Sequence, residues 1–313
     1  MMNDKSSIKF EIIRETLEQA DNVLHIKTLC EIAGVSRAGY YKWLRAKPKR
    51  KAREQKDQND FALLLKAYQH RGYNKGARSI HMHLLHQQPP IVMNVKKIRR
   101  LMEKYNLFCP IRKANPYRRM MRAMRTSHVS PNLLDRNFTT MGPRMALLTD
   151  ITYIPFNGTF CYLSTILDAF TRQILAYVAS DSLNVDFVLE TVLQLVQNHG
   201  VSLQSSTILH SDQGCHYTSY KFIRIVKDQQ LRQSMSRRGN CWDNAPQESF
   251  FGHMKDEISF SDCTSFQQVK AIIDDWIDYY NNERYQWQLA KLSPNEYYRY
   301  ITPGDYPLPI PPP

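Results

Sequence analysis

The chain has 313 residues, room for about two domains at ~150 residues each, and 42% of them are apolar. No run approaches the ~18 consecutive apolar residues of a membrane span, the charged start is unlike a secretory signal, and the six scattered cysteines form no C-x-x-C pair. These features exclude membrane-spanning and disulfide-scaffold proteins and lead us to expect a cytoplasmic protein with reduced thiols. The net charge of +13 is uneven. Residues 1–140 hold 29 Lys and Arg against 11 Asp and Glu, whereas residues 141–313 hold 13 against 18. Such a split suggests a front half that grips a polyanion and a back half that acts on it.

Residues 1–46 read as a helix-turn-helix. Leu29, Ile32 and Ala33 supply an apolar face, Gly34 the turn and Val35 a buried turn residue. Ser36 then caps a second helix that would present Arg37, Tyr40 and Lys42 to DNA. A plain helical hairpin gives a similar string. Residues 47–57 are dense in Lys and Arg and predict a solvated basic linker. A second helical DNA-binding unit is expected over 58–110. There Asn94 caps a helix with Val95, Ile98, Leu101 and Met102 on one side and Lys96, Lys97, Arg99 and Arg100 on the other. His81, His83 and His86 do not make a zinc set, because no cysteine pair stands at ligand spacing. Residues 111–137 are basic, lack apolar periodicity and read as an arm or linker into the next domain that lies along DNA.

The texture changes near residue 138. Met145–Pro155 is a buried-type strand with a carboxylate, Asp150, inside it, and Asn157-Gly158 is a hairpin signal. Two further strands follow, with Asp168 at the turn between them. A helix then leads to a short strand ending in Asp212, and another helix and strand complete the series. The order β-β-β-α-β-α-β-α predicts a mixed sheet flanked by helices, with sites at strand ends. From Gly239 to Glu257 a loop turns into a helix. Asn244 suits its cap, Gln247 a capping-box variant and Pro246 its first turn. Glu248, Phe251 and Lys255 fall on one helical face.

A carboxylate inside an apolar strand is costly unless it is paired or bound to a metal. If the strands of Asp150 and Asp212 are neighbours and the helix of Glu248 crosses them, three carboxylates converge. Such an all-oxygen set suits Mg²⁺ or Mn²⁺, and two such ions serve phosphodiester chemistry.

Thirty-five residues separate Asp212 from Glu248. The blocks Leu148-Thr-Asp-Ile-Thr-Tyr-Ile, His210-Ser-Asp-Gln-Gly and Gly239-Asn-Cys-Trp-Asp-Asn-Ala-Pro-Gln-Glu-Ser-Phe-Phe stand in order, with Tyr280-Asn-Asn-Glu-Arg-Tyr and Leu292-Ser-Pro-Asn-Glu-Tyr after them. Together they resemble the OrfB-type catalytic frame of insertion-sequence transposases of the IS-three group, in the retroviral-integrase-like DDE superfamily. The resemblance covers roughly residues 26–300. It implies an RNase H-like core over 138–300, preceded by all-α helix-turn-helix segments. It also implies Asp150, Asp212 and Glu248 as catalytic residues holding two Mg²⁺ ions, for which Mn²⁺ can substitute, and Lys255 on DNA phosphate. The implied reaction is strand cleavage and transfer on double-stranded DNA, at terminal inverted repeats and target. The implied setting is the bacterial nucleoid, the chain acting as a homo-oligomer on DNA, with an upstream-frame (OrfA-type) protein as partner or fusion. A catalytically silent DNA-binding regulator and an RNase H-like nuclease are the alternatives. Residues 301–313 are Pro-rich and predict an extended tail.

Overall fold

A computed structural model of the chain describes residues 2–72, 75–109, 132–134, 141–236, 244–302 and 304–309. The basic arm at 111–131, the stretch Gly239–Asp243 with Trp242, and residues 310–313 of the tail lie outside the described residues. The chain divides into two compact units, Met1–Leu65 and Lys66–Pro313. Among the described residues, no helix is long and apolar enough to cross a membrane.

The first unit holds α1 (Met2–Glu18), α2 (Ile26–Ala33), α3 (Arg37–Arg45) and the start of α4 (Lys47–Gln69). The α2–α3 turn forms as its residues dictate. Gly34 takes a left-handed conformation (φ 64°) that favours glycine, and Ser36 Oγ accepts the Gly39 N–H at 3.0 Å. Arg37 and Lys42 are exposed. Two expectations fail here. Tyr40 is not presented outward: it is 3% exposed, in a core with Ile13, Leu29 and Cys30. Phe10 of α1 meets it edge-on at 6.1 Å, and Trp43, one turn on, stacks beside it at 6.0 Å. Ile32, expected in the apolar face, is instead exposed, and Cys30 takes the buried place. The basic linker expected at 47–57 is helical, the first part of α4, and mostly exposed. Its Lys, Arg, Glu, Gln and Ala are good helix formers, and Pro48 sits in the first turn, where it is tolerated.

In the second unit, α5 (Ala77–Leu85) and α6 (Val95–Lys104) form a pair. Asn94 Oδ1 caps α6 through the Lys96 N–H (2.8 Å), and Ile98, Leu101 and Met102 are buried. Lys96, Arg99 and Arg100 are exposed and Lys97 is half-buried.

The sheet that follows contains β1 (Ala146–Phe156), β2 (Thr159–Asp168), β3 (Ile174–Ser180), β4 (Ile208–Ser211) and β5 (Arg232–Met235), in the order β3-β2-β1-β4-β5. β1, β2 and β3 pair antiparallel, while β4 runs parallel to β1 and β5 parallel to β4. This is the mixed sheet that the element order predicts. Asn157 and Gly158 both have positive φ, as the β1–β2 hairpin requires. Alternation sends the β1 side chains to two different cores. Leu148, Ile154 and Phe156 pack with Phe250, Phe251, Met254 and Trp276 of α9 (Ala245–Glu257) and α10 (Phe266–Asn282). Leu147 packs on the other face with residues of α7 (Asp186–His199) and α8 (Tyr220–Asp228). The fold is thus an RNase H-like sheet between two helical layers, with α-helical segments before it.

The α5–α6 pair is fastened to the far end of this unit, around α10 and α11 (Pro294–Ile301). Arg71 bridges Asp275 (2.9 Å) and Glu283 (2.6 Å), and His70 Nε2 meets Glu283 at 2.6 Å. His86 Nε2 reaches Glu296 at 3.0 Å, and its ring stacks on Tyr285 at 3.5 Å. His81 Nδ1 lies 2.8 Å from the Met93 carbonyl. Burial first, then the cations around it, depresses the His83 imidazole to about 4, so it is neutral at physiological pH. The histidine cluster thus sits within a packed seam.

Candidate active site

Asp150 belongs to β1, whose parallel register with β4 pairs Ala146 with Ile208 and Leu148 with His210. Two residues further along each chain stand Asp150 and Asp212. Asp150 has the parity of Leu148, which packs on α9, and so belongs to the sheet face that α9 covers. Asp212 follows β4, where its Oδ1 accepts the Gly214 N–H at 2.8 Å. A Cβ on Gly214 would stand 2.9 Å from that oxygen, so any other residue here would push the Asp212 carboxylate aside. His210, completely buried, braces β4 against β5 through Ser234 Oγ at 2.9 Å.

Glu248 is carried by the first turn of α9. Pro246 sits in that turn as expected, but the expected capping does not occur. Asn244 takes the cap position without a side-chain cap hydrogen bond. Gln247 is fully buried, and its Nε2 donates to Thr165 Oγ1 on β2. Thr165 is the residue directly opposite Asp150 in the β1–β2 register. One bond thus ties the start of the Glu248 helix to the position facing Asp150. Gln247 and Thr165 escape the sequence reading, although a signal was there. Gln247, Phe250, Phe251 and Met254 fall at i, i+3, i+4 and i+7, all are buried, and Gln247 is the polar member of that stripe. The shared face proposed for Glu248, Phe251 and Lys255 needs correcting too. Glu248 and Lys255 are exposed, while Phe251 is 7% exposed. At ~100° per residue, i and i+7 differ by only about 20°, but i+3 lies about 60° away, which turns Phe251 into the core.

The charges at this place are imbalanced. Asp150 is pushed up to about 7, most strongly by burial, then by the negative charge of Asp212 and, less, of Glu248. The Ile151 N–H, which donates to Asp150 Oδ1 at 2.8 Å, and the Lys255 ammonium act in the opposite direction. Burial lowers Lys255 itself, and Asp150 opposes that. Beneath the strand, Tyr217 is wholly buried and its phenol is raised well above the ordinary range, by burial first and then by Asp150. Asp150, Asp212, Glu248 and Lys255 are therefore electrostatic neighbours. Among the described residues, however, no three His, Cys, Asp or Glu side chains close up as a metal-binding group.

Asp168, read from sequence as a turn residue, has a second role. It is fully buried, and its Oδ2 accepts from both the Arg144 N–H and Arg144 Nη1 at 3.1 Å, while Oδ1 accepts the Phe170 N–H at 2.9 Å. The candidate DNA contacts lie elsewhere: Arg37 and Lys42 on α3 of the first unit, and Lys96, Lys97, Arg99 and Arg100 on α6.

Residues 142–241 and 229–294 match two family descriptions, both named integrase core domain, and residues 54–115 match an HTH-like domain. An uncharacterized transposase-like protein of Haemophilus influenzae is 36% identical over 211 residues, covering 66% of this chain and 94% of that protein. The transposase InsF for insertion sequence IS3A of Escherichia coli is 27% identical over 287 residues, covering 90% of this chain and 96% of the relative. Among solved structures, the catalytic core domain of BIV integrase is 17% identical, with a TM-score of 0.39, over 51% of this chain and 96% of that one. Sheet order, helical layers and sequence identity along most of the chain agree: it belongs to the insertion-sequence transposases of the IS-three group, within the integrase-type DDE superfamily.

Proposed function

We propose that this chain cleaves and joins DNA strands at insertion-sequence ends in a metal-dependent reaction, with Asp150, Asp212 and Glu248 as its catalytic carboxylates. What supports this reading is that Asp150 on β1 feels the charges of Asp212, just past the parallel neighbour β4, and of Glu248 on α9, while burial and those charges push its carboxyl up to about 7. A carboxylate raised first by burial and then by its acidic neighbours would be relieved by positive charge. The donors are all hard oxygens, the set that suits Mg²⁺, with Mn²⁺ as substitute. These three residues would hold two such ions. When bound, the ions would activate water or a 3′-hydroxyl and stabilise the leaving oxygen. The protein's own part is positional. The β1–β4 pairing would bring the two aspartates near each other, the Gly214 N–H would hold the Asp212 carboxylate, and the Gln247–Thr165 bond would hold the start of α9. Lys255 would receive the non-bridging phosphate oxygens beside Asp150. Double-stranded DNA is the substrate in this reading, as element ends and as target. The chain would act as a homo-oligomer on DNA, alone or with an upstream-frame protein.

The test is Glu248→Gln. It should abolish Mg²⁺-dependent cleavage and joining of element-end DNA and leave end binding within a few-fold of wild type. Full joining by this variant would overturn the assignment. A silent DNA-binding regulator predicts no wild-type cleavage at all, and a general nuclease predicts cutting without joining. Removal of residues 1–46 should weaken end binding and flatten its dependence on salt.

A further inference from the structure

Lys255 faces two ways. Its charge acts on Asp150, and its side chain also lines an open cleft of about 530 Å³. Ile154 and Pro155 of β1 form one wall of this cleft, and Ile258 and Phe260, just beyond α9, form the other. Ser259 and Ser261 stand at its rim, both exposed, their hydroxyls 2.9 Å apart. Ile154 shares the sheet face of Asp150, four residues and about 13 Å further along the strand. The cleft therefore lies further along the strand that carries Asp150, and Lys255, which lines it, is also near enough to act on Asp150.

Its volume falls within the ~300–1,000 Å³ of small-ligand sites, too small to admit a duplex. Its chemistry has three parts: apolar walls presented by exposed Pro155 and half-buried Ile258, with Ile154 and the edge of the Phe260 ring packed behind them in the core, a cation at one edge, and hydroxyls that can donate or accept at the other. Apolar and aromatic surfaces bind the faces of bases and cations follow the backbone in sites for single-stranded nucleic acid. Purely apolar ligands would have no use for the lysine, and an anion alone would have none for the walls.

We propose that this cleft is a base-binding subsite. It takes an unpaired nucleobase of the cleaved strand, within a few nucleotides of the scissile phosphate, and so holds the DNA end open. The phosphate nearest that base lies at Lys255, between the subsite and the carboxylates. This rests on reading Asp150, Asp212 and Glu248 as the phosphodiester site. The energy of unstacking is offset by stacking in the cleft and by the lysine contact.

The experiment uses the full chain in EDTA and a duplex of the element's terminal repeat. 2-Aminopurine replaces, one position at a time, the bases flanking the cleavage site. Emission should rise severalfold at one position on binding, because the probe leaves its stack. The double variant Ser259→Leu/Ser261→Leu fills the cleft from exposed positions. It should remove that rise while melting as the wild type does and still binding the duplex. Glu248→Gln should keep the rise and lose cleavage in Mg²⁺. The proposal is overturned if no position brightens with wild type, or if the brightening survives in the filled variant. It is also overturned if the filled variant changes the sedimentation of the DNA-free chain, which would make the cleft an interface between copies. Cleavage by Glu248→Gln would instead remove the carboxylate reading, whatever the fluorescence does, so the two failures are distinct.

Discussion

Asp150 and Asp168 are carboxylates of one antiparallel strand pair, and their surroundings are opposite. Asp168, at the end of β2, is fully buried and accepts from the Arg144 guanidinium and two backbone N–H groups. Arg144 is held in turn over the Tyr298 ring at 4.4 Å. Asp150, inside β1, accepts the N–H of its neighbour Ile151 and faces the negative charges of Asp212 and Glu248. Depth alone does not mark a carboxylate as functional. The structural one is surrounded by donors, whereas this one, with one N–H donor and one lysine near it, also feels two charges of its own sign, a state that suits a cation or a phosphate held by one.

The comparison breaks most decisively by neutralising each residue. Asp150→Asn should take strand joining below detection while the fold melts no lower than wild type. Asp168→Asn should destabilise by about 3–5 kcal/mol, because it leaves Arg144 buried without its counter-charge. Equal melting of the two variants would erase the distinction. A smaller effect is expected at Gln247, which ties the start of the Glu248 helix to the position facing Asp150. Gln247→Ala should lower the joining rate by up to about a hundredfold through misplacement of Glu248, and stability by only about 1–2 kcal/mol. Its rate loss should fall on kcat more than on KM; a loss confined to KM would deny it a positioning role.

Next comes pH. A free carboxyl titrates near ~3.9, and the folded Asp150 near 7, so the folded state binds the extra proton. Stability from this group is fully present below ~3.9 and is lost as pH rises through 7. In EDTA the melting temperature should therefore fall between pH 5 and pH 8 by more in wild type than in Asp150→Asn. Mg²⁺ at pH 8 should restore it in wild type and have little effect in the variant. The smallest change is expected when both halves of the structural pair go. Arg144→Met/Asp168→Asn should recover most of the stability lost by Asp168→Asn alone, since no lone charge then remains buried.

Much of the candidate site was legible in the sequence because its signals are local. A carboxylate within Leu147–Ile154 interrupts an apolar strand, Asp212 stands just past a short apolar run, and Pro246 marks a helix start. The features that were missed depend on partners distant in sequence. Tyr40 and Tyr41 are adjacent, and partners distant in sequence, Phe10 and Ile13 of α1 among them, bury the first. Gln247 resembles a capping residue until Thr165 is placed beneath it. The charge-rich 47–57 looked like a linker because its net charge masked residue types that each favour helix.

The ionic seam from His70 and Arg71 to Glu283, and from His86 to Glu296, has a consequence for how such a chain can be rebuilt. The region that matches an HTH-like domain, residues 54–115, crosses the boundary between the compact units at Leu65 and continues into the one that carries the carboxylates. A chimaera grafting a relative's recognition helices at residue 110 would cut through pairs that must match across the junction. It would inherit histidines facing the wrong acids. A graft made at the Leu65–Lys66 boundary, within α4, leaves the seam whole, so the workable unit of exchange is shorter than the family boundary suggests.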